Sequence, residues 1–471
     1  MTIAINGIGL ATAQGNTAEI IESRSFRASS KLPWTAGKSN ISRQCYPATG
    51  IDSTLSGAAR WRALAGRALA EVAGSDKTPL LMASCNGSAA QSWEKAFEAK
   101  ALLAGTQWAD YDLPVFSSSC ASGIHALYAA RELLTSGAVK EVLVLAADVL
   151  ALSNHENFES LRVLAEEPCT PWQSTSSGFI LGEAAVVLKL AHVQDEASLT
   201  VVHGPELGSD LVEHDGLSSV IETLSPKSAT MIFGQGTGPY ATDAAELRAL
   251  GSFVDRDVPI YTPLSDFGHT LGASSLLSIA LAAALTSWVE SSHSTTDARP
   301  ICRANSPAPR RHGPKNILAT CRALNGACAA TWVGRISHGK TQTRKAGWKR
   351  SVIPGPLMHP VLKRLACEAY EQRPIQPPDV LILRLEKPLA PPPSAVIGKR
   401  LLPSAVLEMT PGFASQLIAR CWGYTGPALC LVGNVDAELY GLTNAFLESR
   451  RNVYQVNLRG SGDNRAIEWN I

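Results

Sequence analysis

Apolar and polar positions along the chain fall into blocks whose period switches between that of a strand and that of a helix. Residues 2–10 form an apolar run closed by Gly-rich turns, which predicts an opening strand, and 56–73, rich in Ala and Leu, predicts a helix. Pro79-Leu-Leu-Met-Ala-Ser is the next strand and leads to Cys85-Asn-Gly. A short β-prone segment, Leu113 to Phe116, then runs into small residues and Cys120. After it Ile124, Leu127, Tyr128 and Leu134 recur at helical spacing up to a stop at Gly137. Glu141 to Asp148 reads as a buried strand, and Gly178 to Leu190 as an apolar run with one acid, Glu183, near its start. Strand and helix alternate again over 198–290: Met231-Ile-Phe enters a Gly-rich turn, a helix covers 243–253, and Ser274 to Val289 is a buried core helix with His269 at its mouth. Residues 316–320 and 329–334 are strands around a turn at Leu324-Asn-Gly.

Residues 337–350 carry basic side chains and no acid, the composition of an exposed linker, and mark a domain boundary. Beyond it lie a Pro-rich stretch (Pro374 to Pro393), a helix near 404–422, and a strand/helix/strand unit at 427–432, 435–448 and 452–458. The expectation is an α/β protein of two or three lobes.

Composition narrows the class. The chain of 471 residues is 45% hydrophobic and 18% charged with a formal net charge of +1, so it can bury a full core and has no field to attract nucleic acid. Its ten cysteines show neither C-x-x-C nor paired metal spacing, which argues against a disulfide framework and against a metal site. No basic residue precedes Arg24, so an ordinary signal peptide is not expected, and the 274–289 run is too short to span a bilayer. The expected home is the reducing cytoplasm.

The chemistry centres on Cys120. At a strand-to-helix elbow the first helical N–H groups and the positive dipole end stabilise a thiolate, so a lowered thiol pKa is expected, and small neighbours leave room for substrate. Glu183 in an apolar strand is either paired or functional, with a backbone hydrogen bond in a turn as the plainer reading. His269 is either a structural cap or a site residue. The Gly236-Thr-Gly turn permits close approach of backbone to a ligand, but its spacing fits neither dinucleotide nor P-loop patterns.

Taken in order, Cys120-Ala-Ser-Gly, Gly178-Phe-Ile-Leu-Gly-Glu183, Gly236-Thr-Gly with Asp243 and Glu246, and Gly268-His269-Thr-Leu-Gly-Ala resemble the β-ketoacyl synthases of the thiolase fold over residues 1–336. The resemblance implies a thiolase-like fold of two βαβ-rich halves in αβαβα layers, 1–195 and 196–336, plus a smaller C-terminal α/β domain. It also implies that Cys120 takes an acyl chain as a thioester from the phosphopantetheine of an acyl carrier protein, with no cofactor of its own. His269 matches the family's second histidine, and the two loops bring His269 and Gln235 to the Cys120 sulfur.

The departures surround one pocket. Where the family has its first histidine stands Gln235, whose amide donates a hydrogen bond but carries no charge. The family's lysine is Leu264, its Phe-Gly gate is Leu324-Asn325, and the polar residues before Gly178 are Gln173, Ser176 and Ser177. Weakened decarboxylation is expected.

Residues 351–471 look like a degenerate copy of a ketosynthase N-terminal half, or are an unrelated α/β appendage. Matching Leu439-Tyr440 to Leu127-Tyr128 puts Val432 where Cys120 stands, so the copy has no nucleophile, and Cys430 is a packing residue. Two functions compete: an acyl-transferring ketosynthase of type II fatty acid or polyketide (aryl-polyene-type) pathways, and a non-condensing partner resembling chain-length factors. A bare scaffold role is a third. The resemblance further implies pairing through the strand beside the nucleophile helix, with a competent ketosynthase in a heterodimer or with a second copy.

Overall fold

The computed structural model describes residues 3–22, 32–35, 42–72, 78–89, 95–165, 171–173, 175–176, 178–192, 200–210, 215–224, 229–254, 258–291, 316–334, 347–349, 351, 357, 359–390, 396–397, 400–401, 403–449 and 451–470. Most of the basic linker at 337–350 lies outside these residues.

The N-terminal half is β1 (Ile3–Thr12), α1 (Gly57–Ala70), β2 (Leu80–Ala83), β3 (Val115–Phe116), α2 (Ser122–Thr135), β4 (Glu141–Asp148), α3 (Leu152–Ser160) and β5 (Ala184–His192). The next half is β6 (Val201–Ser209), α4 (Gly216–Leu224), β7 (Met231–Phe233), α5 (Tyr240–Ala249), β8 (Ile260–Tyr261), α6 (Ser274–Ser291), β9 (Asn316–Arg322) and β10 (Ala327–Gly334). The C-terminal part is α7 (Pro360–Glu371), β11 (Val380–Leu385), α8 (Pro403–Met409), α9 (Pro411–Trp422), β12 (Ala428–Val432), α10 (Leu442–Glu448), β13 (Val453–Arg459) and β14 (Ala466–Asn470).

These strands build one mixed sheet in the order β8-β7-β9-β10-β6-β1-β5-β4-β2-β3-β12-β11-β13-β14. Its central strands are near-continuous apolar runs because helices cover both faces. In β4, for instance, every residue after Glu141 is buried. β4 pairs in parallel with β2, Leu80 opposite Leu143, and antiparallel with β5, Asp148 opposite Ala184. The fold is the thiolase-like α/β architecture expected.

The C-terminal part is not a body apart. β12 pairs antiparallel with β3, Leu431 opposite Phe116 and Val432 opposite Val115, so the sheet runs through from one part to the other. Outward from this joint the same relations repeat on both sides. β3 is parallel to β2, β2 to β4, and β4 antiparallel to β5; β12 is parallel to β11, β11 to β13, and β13 antiparallel to β14. The helices follow suit, α10 packing on α2 with Phe446 stacked on Tyr128 at 6.0 Å between ring centroids. Arg451 donates to the Tyr128 hydroxyl and lies 3.2 Å from Glu132, while the Leu80 N–H donates to the Tyr440 hydroxyl at 3.2 Å. One buried apolar cluster runs from Ile3 to Leu458.

Three expectations change. The β3 edge, through which pairing with another ketosynthase was expected, is occupied by β12 of the same chain. Val432 is the last residue of that strand, paired with Val115, so the turn that follows it, and not Val432 itself, stands where an elbow would be. The Pro-rich stretch holds a fully buried strand, β11, because its prolines flank Val380–Leu385 and leave the ladder N–H groups intact. Among the described residues no helix is long and apolar enough to cross a membrane.

Candidate active site

β3 ends at Phe116, and the chain turns through Ser119, held at φ +55°, into the first turn of α2. Ser122 fixes the elbow: its hydroxyl donates to the Ser119 carbonyl at 2.6 Å and accepts from the Ser118 N–H at 2.9 Å. Cys120 therefore stands just ahead of α2, 2% exposed.

His269 arrives from the opposite side. Gly268 takes φ +70° where a side chain would strike Tyr46, and two backbone bonds pin the histidine to the Gly178–Glu183 segment. The His269 N–H donates to the Ile180 carbonyl at 2.8 Å, and the Gly182 N–H donates to the His269 carbonyl at 3.0 Å. Its ring lies against Phe179, 4.4 Å between centroids, and Nε2 is 3.2 Å from the Cys120 sulfur. The Leu271 N–H donates to Nδ1 at 3.1 Å, so a neutral ring carries its proton on Nε2, facing the sulfur. Burial pushes the His269 pKa down to about 4, which keeps the ring neutral near pH 7.

Burial also pushes the Cys120 thiol up to about 12, with the Asp148 charge adding to the rise and the Ser119 hydroxyl bond opposing it. The lowered pKa expected at the elbow is thus reversed. A helix terminus offers partial charge, and desolvation of a fully buried thiolate with a neutral histidine as its hydrogen-bond donor outweighs it.

Gln235 does not reach the sulfur. Its Oε1 accepts from the Arg322 N–H at 3.3 Å, next to Cys321, whose thiol donates to the Cys120 carbonyl at 3.7 Å. The buried Nε2 of Gln235 has no partner among the described residues, a free donor beside the site. The loop carrying it is shaped by two acids. Glu246 accepts from the Gln235 and Gly236 N–H groups at 2.7 and 2.9 Å and from the Trp172 indole at 3.0 Å. Asp243 accepts from the Gly238 and Trp172 N–H groups at 3.0 and 2.7 Å.

The remaining candidates divide. Glu183 is a staple: fully buried, it pairs with Arg60 through both oxygens and accepts from the Ala48 and Leu150 N–H groups at 2.9 and 3.1 Å. Leu324 lines a small cavity beside the elbow. Asn325 accepts from the Ala327 N–H at 3.1 Å to close the β9–β10 turn, and its Nδ2 has no partner among the described residues. Leu264 packs with Phe179 and Leu271 on the apolar side of the histidine loop.

Asp148 was not singled out from sequence. It accepts from the Ser84 hydroxyl at 2.7 Å and from the Cys85, Asn86 and Gly272 N–H groups at 2.8, 3.0 and 2.8 Å, tying the end of β2 to the loop after His269. Its signal was a lone acid closing the apolar run 141–148. Burial raises its pKa to about 6 in spite of those bonds.

The comparisons point one way. The sequence profile described as "Beta-ketoacyl synthase, N-terminal domain" matches residues 114–195, and "Beta-ketoacyl synthase, C-terminal domain" matches 213–287. Nodulation protein E of Rhizobium leguminosarum bv. trifolii is 28% identical over 186 residues, 35% of this chain and 46% of that protein. The "Putative polyketide beta-ketoacyl synthase 1" of Streptomyces virginiae is 28% identical over 196 residues, 36% of this chain and 46% of that protein. The matched region thus spans about half the length of these curated relatives. Among solved structures, the ketosynthase ApeO in complex with its chain length factor ApeC from Xenorhabdus doucetiae superposes with TM-score 0.57 at 17% identity, covering 71% of this chain and 98% of that one. A PfaC keto synthase-chain length factor superposes with TM-score 0.69 at 13% identity over 98% of this chain and 74% of that one. At such identities the likeness is one of fold, and in the second case it extends through the C-terminal part.

Proposed function

The chain is a divergent member of the β-ketoacyl synthase family, and on that premise we propose that it handles acyl-carrier-protein thioesters, becoming acylated on Cys120 while malonyl decarboxylation is weakened. The observation that carries this is the contact of Cys120 Sγ with His269 Nε2 at 3.2 Å, with the ring proton on the nitrogen facing the sulfur. In the transfer the Cys120 thiol gives up its proton and its sulfur bonds to the acyl carbon. The carbon–sulfur bond to the pantetheine breaks, and the departing sulfur takes a proton, so thiol and thioester simply exchange. His269 donates to the sulfur as negative charge develops, which a neutral Nε2–H can do and a base cannot.

Decarboxylation asks for more. It leaves an enolate that two strong donors would stabilise, and here one histidine is joined by the uncharged amide of Gln235. Loss of one such donor costs about 10²–10³ in rate. The proposed setting is type II fatty acid or polyketide synthesis of the aryl-polyene kind, in the cytoplasm, with an acyl carrier protein and a competent ketosynthase as partners. Since β3 is paired within the chain, that ketosynthase would dock away from this edge.

Intact mass after incubation with acyl-carrier-protein thioesters tests the reading. The native chain should gain one acyl group and Cys120→Ala none. The second reading, a non-condensing partner like the chain-length factors, is favoured by the buried, protonated thiol. It prevails if Cys120→Ala leaves the pathway product unchanged in amount and length.

A further inference from the structure

The loop that carries His269 turns more sharply than its side chains favour. Leu271 is fully buried at φ +54°, a left-handed conformation that a residue other than Gly keeps only where its surroundings hold it. That turn aims the Leu271 N–H at His269 Nδ1, 3.1 Å away, and so leaves the ring proton on Nε2, which faces the Cys120 sulfur. Without such a bond a neutral imidazole carries its proton on either nitrogen.

The next residue shows what holds the turn. The Gly272 N–H donates to Asp148 Oδ2 at 2.8 Å, and the fit is close: a Cβ on Gly272 would lie 2.6 Å from the Cys85 nitrogen and 2.7 Å from that oxygen. The same oxygen accepts from the Cys85 N–H at 2.8 Å, while Oδ1 takes the Ser84 hydroxyl at 2.7 Å and the Asn86 N–H at 3.0 Å. The Ser84 carbonyl in turn accepts at 3.4 Å from the Ser122 hydroxyl, the group that fixes the elbow. Asp148 is fully buried at the end of β4, so one rigid carboxylate ties the histidine loop and the cysteine elbow together.

We propose that Asp148 is a positioning residue for His269: by holding the Gly272 N–H it keeps Leu271 in its left-handed turn, and the Leu271 N–H then keeps the ring proton on the nitrogen facing Cys120. Its consequence for acyl transfer rests on the reading of Cys120 as the acyl acceptor, but the tautomer is read without any acyl transfer.

With isotope-labelled histidine in the full chain, heteronuclear NMR at neutral pH shows which ring nitrogen is protonated, and His269→Ala assigns the signal. The native chain should show Nε2–H alone. Asp148→Ala removes the acceptor and Gly272→Ala pushes the N–H off it, so both should add a second signal with the proton on Nδ1. Asp148→Asn keeps one oxygen for Gly272 and turns its NH₂ to the Ser84 hydroxyl, so it should restore the native pattern. Nε2–H alone in both alanine variants overturns the inference, and so does an Asn variant that loses the tautomer as fully as Ala. Should the alanine variants fail to fold, hydrogen exchange on the native chain decides: the Gly272 amide should stay protected as long as those of β4, and early exchange there overturns the inference. Acetyl pantetheine, followed by intact mass with Cys120→Ala as the blank, should acylate the alanine variants more slowly, an even mixture of tautomers about halving the rate at saturation. A tautomer shift with no acylation of the native chain sustains the positioning of His269 and overturns the acylation reading instead.

Discussion

Val432 stands opposite Val115 in an antiparallel ladder, the point at which two similar strand sets of one chain meet. The apolar core is continuous across that point, so the parts should unfold together. Phe446, fully buried against Tyr128, tests this. Phe446→Ala should cost about 3–5 kcal/mol and lower a single melting transition seen alike by far-UV circular dichroism and by tryptophan fluorescence. Two separated transitions would show that the C-terminal part folds by itself.

Cys120 should behave as an unactivated thiol in the free protein. With its pKa pushed up to about 12, the thiolate fraction grows about tenfold per pH unit across the accessible range. Alkylation of Cys120 by iodoacetamide, read on its own peptide because Cys367 is exposed and reacts as well, should climb steadily from about pH 7 to 10. A plateau near neutrality would mean that a cation or a water-filled channel reaches the sulfur.

Gln235→His should raise malonyl decarboxylation, since it adds a stronger donor where an unpartnered amide nitrogen now points. His269→Ala should lower acylation by about 10²–10³. Carbon dioxide release and acyl-enzyme formation, followed separately, distinguish the two effects.

Acid should destabilise the fold through two histidines. Burial depresses the pKa of His125 to about 3 and that of His269 to about 4, against an ordinary 6.5. Between those values the unfolded chain binds more protons than the folded one, so their contribution is present above about 6.5 and is lost as pH falls. Asp148, raised to about 6, acts in the opposite sense: its folded form holds a proton that the unfolded chain releases, so its contribution grows as pH falls towards 3.8. His125→Leu should therefore flatten the fall in urea midpoint between about pH 6 and 4. An unchanged slope would place the titration elsewhere.

Glu183→Gln should leave the Arg60 guanidinium buried without its counter-charge and cost about 3–5 kcal/mol. Replacing both residues by uncharged ones of similar size should recover part of that loss, measured by thermal melts of the single and double variants. Equal losses in all three would assign the cost to packing alone.

Much of this was legible because motif and period are local. The 141–148 strand and the 274–291 helix follow from residue order and spacing, and the meeting of Cys120 with His269 was expected from the resemblance of their motifs to the family. What was not legible depends on neighbours far along the chain. A period of two says that a strand has a buried face, and nothing in it names β12 as the neighbour of β3. The helix α3 escaped notice because only Asn154 and Phe158 of its residues are buried, too few for a periodic signal. The sign of the Cys120 shift needed the degree of burial around the sulfur, which its four neighbouring residues do not encode.

The joint between β3 and β12 also removes a dependence on concentration. Two separate chains meeting along such an edge come apart on dilution, because their union is second order in protein. Here the two edges are tethered, and a tether holds its ends at an effective concentration on the order of millimolar regardless of how little protein is present. The joined edge is therefore present in every molecule, however dilute the protein.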